Sequence, residues 1–216
     1  MDTFTLAATS FIIAISLIIT GRKDKLQASF TLLCLAVFIS QVGIFFYNIF
    51  MSAFWNIFEY LGILAIPPCA LFFFRRLIHN KSILTKGFII FAISSSSLGA
   101  LFLFTPVSRW SYFHPLLLSY SLATLGLCYI ALVRYVNKLS PSMEKKRLGY
   151  LLYACPIALI ICSIDLFNYF GFDFPLLSGV AVSALLYFIL LIIAYPQLNE
   201  LHDFFARALV IFVGTV

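Results

Sequence analysis

The sequence predicts an all-α fold, a polytopic bundle of seven transmembrane helices with the N-terminus outside. Three observations predict it. The chain is 63% apolar and only 10% charged, whereas a soluble domain carries about 25% charged residues. Its 216 residues resolve into apolar stretches long enough to cross a bilayer, which takes roughly 20 residues each, joined by connections too short to hold a soluble domain. Its basic residues also form a comb. Twelve of the fourteen Lys and Arg fall in three alternate gaps: Arg22, Lys23 and Lys25; Arg75, Arg76, Lys81 and Lys86; and Arg134, Lys138, Lys145, Lys146 and Arg147. Lys and Arg flanking membrane helices stay preferentially in the cytoplasm. Those gaps are therefore assigned to the inside. The gaps between them, which hold only Arg109, are assigned to the outside.

The first span, 3–20, follows Asp2 and precedes a basic cluster. That polarity is the reverse of a secretory signal, so the stretch reads as a retained helix. Spans two (27–50) and three (54–74) share a run from Leu26 to Phe74 without Lys or Arg. The run is too long for one helix and must turn back at Met51-Ser52-Ala53. Span four, 87–106, contains Ser94 to Ser97 and Gly99. Each serine can bond back to a carbonyl one turn earlier, and small residues let helices approach closely. Four hydroxyls in one turn cannot share one neighbour, so one or two should face lipid. Spans five (115–135) and seven (176–195) open at Pro115 and Pro175, where a missing N–H costs nothing. Span six is 149–170, and Gly171 to Pro175 makes the outer turn after it.

Pro67-Pro68 and Pro156 lie inside spans three and six. Each should free carbonyls one turn earlier and kink its helix, which a bilayer tolerates only if neighbours re-satisfy those groups. They give the bundle a static shape or, with Pro196, act as hinges. Residues 1–196 thus form one membrane domain. In the tail, 197–216, Leu201, Phe204, Phe205 and Ala208 line one helical face, and Ala208 to Val216 is wholly apolar. It reads as a linker or interfacial helix or as the start of an eighth span, and as part of something longer.

The net charge of +6 is spread over inner-face loops, where it meets anionic lipid, so no nucleic-acid partner is expected. The five cysteines sit inside apolar stretches without a C-x-x-C pair and read as small apolar filler. His79, His114 and His202 are isolated in sequence, without metal-ligand spacing. There is no Gly-rich phosphate loop and no lysine within a span to anchor a retinal. Neither a metal, nor a cofactor, nor a catalytic residue is expected.

Ionisable residues inside spans are the strongest pointers to function in a membrane protein. There are two such carboxylates, Glu59 and Asp165. At the bilayer centre each would cost about 2.5–3.5 kcal/mol, but both lie towards the outer ends of their spans and could reach the interface. Gln41, Asn48, Trp55, Tyr60 and Asn168 lie at the same level, Asn168 on the same helix face as Asp165. The aromatic residues also fit an interfacial belt. Together these residues predict a cavity open to the outer face, floored by the proline kinks, that binds a small ligand of unknown identity.

Span three runs Phe54-Trp55-Asn56-Ile57-Phe58-Glu59-Tyr60-Leu61-Gly62, then Ile66-Pro67-Pro68, then Leu71-Phe72-Phe73-Phe74-Arg75-Arg76. Lys145-Lys146-Arg147 leads into span six, Gly171 to Pro175 makes the outer turn, and Tyr195-Pro196-Gln197-Leu198-Asn199-Glu200-Leu201 leaves span seven. This pattern resembles the N-terminal seven-transmembrane region of bacterial and archaeal sensor histidine kinases. The resemblance covers essentially the whole chain, through loose motifs. It implies a sensory region in a prokaryotic cytoplasmic membrane. A cytoplasmic signalling module of the same chain would follow, ending in a histidine kinase or a cyclic-di-nucleotide enzyme. Such proteins commonly signal as homodimers. The family supplies no ligand-binding residues to carry over, and its usual polar exit from span seven differs from the apolar 208–216. A small transporter or channel subunit, which would need a polar path across the full thickness, and a structural membrane protein are the alternatives.

Overall fold

The computed structural model describes residues 2–19, 24–78, 86–106, 110, 112–168, 172 and 178–194. These form seven helices: α1 (Asp2–Ile19), α2 (Lys25–Phe50), α3 (Ala53–Leu77), α4 (Lys86–Phe102), α5 (Phe113–Lys138), α6 (Met143–Phe167) and α7 (Ser178–Ala194). Each coincides with one predicted apolar stretch. The segments Lys25–Phe50, Phe54–Leu77, Phe113–Lys138 and Glu144–Ile164 are long and apolar enough to cross a membrane; α1, α4 and α7 are apolar but shorter. At 1.5 Å per residue the 17-residue α4 is about 26 Å long, a little under the roughly 30 Å hydrocarbon core.

The helix ends show where the predicted limits shift. α3, α5 and α6 reach beyond the apolar stretches to take in Arg75, Arg76, Lys138 and Lys145 to Arg147, because a backbone already bonded one turn back gains nothing by fraying there. The basic side chains also bond backbone at helix ends. Arg147 Nη2 donates to the Ile192 carbonyl at 2.8 Å, Lys145 Nζ donates to Leu139 O at 3.0 Å, and Arg76 donates to Lys25 O. The first two satisfy carbonyls in the last turn of α7 and just past α5, where a helix has orphan acceptors and favours a cation. α4 ends at Phe102, short of the predicted 106. Leu103, Phe104 and Thr105 make tighter bonds to the carbonyls three residues earlier, and Pro106 keeps the residue before it out of helix.

The turn expected at Met51-Ser52-Ala53 is present. Met51 adopts a left-handed conformation, φ 48°, and its N–H bonds to Tyr47 O at 2.8 Å, closing α2. α3 folds back along α2 in one antiparallel register over its whole length. Lys25 meets Arg76, the Phe30 and Phe73 rings are 5.3 Å apart, Ser40 meets Gly62, and Gly43 meets Glu59. A side chain at Gly43 or Gly62 would run into the backbone of the facing helix, so glycine is what lets the two axes come this close. α1 lies antiparallel on α2, with Phe4 on Phe45 and Phe11 on Phe38.

The principal helix contacts close a ring, α1–α2–α3–α5–α6–α7 and back to α1, with α4 beside α3. The main core lies in the half of the bundle nearer the basic ends. It contains Leu17, Phe30, Cys34, Phe73, Ile78, Cys128, Leu132, Leu151 and Ile192. Among the described residues the opposite half carries a second, smaller apolar cluster of Ile63, Leu64, Leu103, Phe113 and Leu117. Of the four serines of α4, Ser94 and Ser97 are exposed and Ser95 and Ser96 half-buried, as four hydroxyls in one turn require.

Candidate functional site

In the half away from the basic ends, α3 carries Glu59 two turns after the Met51 turn, and α5 carries His114 in its first turn. The two helices run side by side. His114 Nε2 lies 2.6 Å from Glu59 Oε1, with the side chains 16% and 11% exposed. With Glu59 ionised, Nε2–H donates to the carboxylate. The contact is an ion pair when the imidazole is protonated and a neutral-donor hydrogen bond when it is not. Glu59 is therefore turned into the protein, 8% exposed as a residue, and does not reach out to an interface. Gly43 of α2 abuts its backbone, and the Tyr60 ring lies 5.7 Å from His114 and 5.6 Å from Phe113. The site is thus a carboxylate–imidazole pair walled by α2, α3 and α5.

One turn deeper, the proline prediction resolves into a specific contact. α3 runs through Pro67-Pro68 without interruption, with Pro67 fully buried. Pro67 has no N–H for the carbonyl four residues back, which belongs to Ile63. Ser121 of α5 donates its hydroxyl to that carbonyl at 3.2 Å. A neighbouring helix thus re-satisfies a freed group, and the bond lies on the same α3–α5 interface as Glu59–His114. Pro156 is likewise inside α6.

The other predicted site residues divide. Tyr60 joins the pair. Gln41 is half-buried on α2, with Nε2 3.5 Å from Ser40 Oγ, and Asn48 is exposed near the end of α2. Trp55 stacks on Phe46 at 4.5 Å, within an aromatic group that includes Phe50, Phe54 and Phe58. Asn168 is half-buried just past α6. Asp165 belongs to α6, but its side chain lies outside the described residues, as do Pro196, Pro175 and the tail 197–216. A cavity of about 180 Å³ lies between α3, α4 and α5, lined by Leu71, Phe91, Tyr120 and Arg134 among others, and by none of the predicted ligand-binding residues.

His114 is the residue that the sequence did not assign. The sequence sets it at the depth of Glu59 in the loop before Pro115, without assigning it to the site, whereas it is helical and paired with Glu59.

The fold and the site together define a class, a helical membrane bundle with a buried acid–imidazole pair. No protein-family model, curated protein or solved structure matches the chain.

Proposed function

We propose that this chain is the membrane-embedded sensory region of a signal-transduction protein of the sensor histidine kinase type. It crosses a prokaryotic cytoplasmic membrane seven times with its N-terminus outside. It relays an external or in-membrane stimulus to a cytoplasmic output module, and any catalysis belongs to that module. Seven apolar helices in an antiparallel order, with basic residues gathered at alternate ends, support the topology. The observation that carries the sensory reading is the Glu59–His114 contact. A polar pair enclosed by apolar helices is expensive and marks function by default. A stimulus that protonates, neutralises or competes for either group alters how α3 sits on α5. α7 and the segment after it hand that change on.

The energies are of the right size. Moving a two-state equilibrium from 1:99 to 99:1 takes about 5.5 kcal/mol. Leaving one partner of a buried polar contact unsatisfied costs about 1–3 kcal/mol, and about 2 kcal/mol is expected for this pair. One contact therefore supplies about a third of a full switch, with helix repacking to supply the rest.

Two measurements test the reading. With the Glu59→Gln substitution at the native locus, the transcript profile is expected to shift several-fold towards that of the deletion or of a locked-on state. A profile identical to wild type would overturn the sensory role. For topology, Ser52→Cys should react with a membrane-impermeant maleimide on intact cells, and Ser140→Cys only after permeabilisation. The opposite pattern would overturn the orientation.

A further inference from the structure

We infer that the groove between α3, α4 and α5 is a binding site for one acyl chain of an anionic phospholipid, whose phosphate rests on Arg134. Leu71, Phe88, Phe91, Ala92, Leu127, Ile130 and Ala131 give the groove hydrocarbon walls, and Tyr120, Thr124 and Arg134 complete it. The two hydroxyls are already engaged. Tyr120 donates to Ala92 O at 3.1 Å, and Thr124 donates to Tyr120 O at 2.9 Å. With both hydroxyl protons engaged within the protein, the floor suits a hydrocarbon better than a sugar, nucleotide or amino acid.

Size narrows the class further. The cavity of about 180 Å³ exceeds the roughly 150 Å³ apolar void that takes up benzene. It falls below the roughly 300 Å³ at which drug-sized sites begin. It suits a chain segment and not a fused-ring ligand. Its shape agrees: Tyr120, Thr124, Leu127, Ala131 and Arg134 recur every three or four residues along one face of α5. At 1.5 Å per residue they mark out a strip of about 21 Å, longer than half the hydrocarbon core.

Charge fixes the headgroup. Arg134 is exposed at the end of the strip nearer the C-terminus of α5, and among the described residues no carboxylate pairs with it. A guanidinium presents a planar fork to a phosphate. On the proposed topology Arg134 stands at the inner face, where anionic lipids concentrate. The inference rests on the membrane reading but not on the sensory one.

The test is native mass spectrometry of the full chain released from nanodiscs of equal phosphatidylglycerol and phosphatidylcholine. Wild type should retain one phosphatidylglycerol in preference to phosphatidylcholine by about fivefold, the worth of one cation near an anionic surface. Arg134→Gln should abolish the preference and Arg134→Lys should keep most of it. Leu127→Trp, at a half-exposed position, should fill the groove and lose both lipids. Equal retention of the two lipids by wild type, or an unchanged preference in Arg134→Gln or Leu127→Trp, would overturn the site. A chain that fails to enter the nanodisc would instead overturn the membrane reading.

Discussion

α3 meets α2 on one side and α4 on another, and the two contacts are built in opposite ways. On α2 it packs backbone to backbone, with Gly43 under Glu59 and Gly62 under Ser40. On α4 a side chain stands between the helices, Gly99 meeting the tip of Leu64, and about two turns nearer the N-terminus of α4 a void opens between α3, α4 and α5. In a bilayer lipid tails are as apolar as leucine, so burial alone does not choose between neighbours, and close packing and interhelical hydrogen bonds do. The α2–α3 seam uses close packing to fix one register from Lys25–Arg76 to the Met51 turn. The α4 contact leaves room, which is where a lipid chain can enter. A tight seam also makes the surface against which Glu59 is held.

The largest expected effect comes from breaking the seam. Gly62→Leu and Gly43→Leu force the α2 and α3 backbones apart, since the atoms that a side chain would meet are backbone and cannot rotate away. Overpacking of this kind costs typically 1–3 kcal/mol, and the upper end, about 3 kcal/mol, is expected for each. Gly126→Leu on α5, where an added side chain meets open space, should cost under about 0.5 kcal/mol, the usual range for surface changes. Denaturation in mixed micelles followed by circular dichroism measures both. Equal losses at Gly62 and Gly126 would remove the distinction between the seam and the rest of the bundle.

Much of this was legible in the sequence, and the reasons are physical. Helix number and approximate limits follow from apolar runs and from the exclusion of Lys and Arg, both local properties. The Met51-Ser52 turn was legible because no single helix can carry the run from Leu26 to Phe74. Glu59 stood out because a carboxylate among apolar residues is costly wherever it lies. Its partner did not, because the pairing joins residues 55 apart on helices whose adjacency no local pattern states. The end of α4 was misplaced by four residues because hydrophobicity continues through Leu103 and Phe104 while the backbone bonding has already changed. The glycine seam was similarly hidden. Gly43 and Gly62 look like any membrane glycines until the turn sets them opposite Glu59 and Ser40.

The next effect sharpens the contrast at the polar end of α3. His114→Leu removes the donor and leaves Glu59 buried without it, against the unyielding wall of α2. An unsatisfied buried polar group costs about 1–3 kcal/mol, so a loss of about 2 kcal/mol is expected. The double variant Glu59→Leu/His114→Leu should recover most of it, because exchanging both partners for apolar groups is nearly neutral. Micelle unfolding of the single and double variants reads this directly. A double variant as unstable as the sum of the singles would mean that the pair is not one coupled unit.

The smallest effect tests whether the proline pair of α3 acts as a hinge or as a static element. Ser121→Ala removes the hydroxyl that serves the Ile63 carbonyl freed by Pro67. Interhelical hydrogen bonds in membranes average only about 0.6 kcal/mol, so a loss of that order is expected. Pro67→Ala supplies the missing N–H to the same carbonyl and makes Ser121 redundant there. In the Pro67→Ala background the cost of Ser121→Ala should therefore fall to nearly nothing, which a double-mutant cycle measures as a coupling of about the same 0.6 kcal/mol. Coupling in stability alone would describe a static bracket at Pro67. If Ser121→Ala also changes signalling several-fold, and Pro67→Ala abolishes that change, the bracket lies on the path from Glu59–His114. A stimulus at the pair would then loosen the next contact down the same α3–α5 interface. The seam on the other side of α3, where backbone meets backbone, would hold α2 and α3 together and direct the movement towards α5.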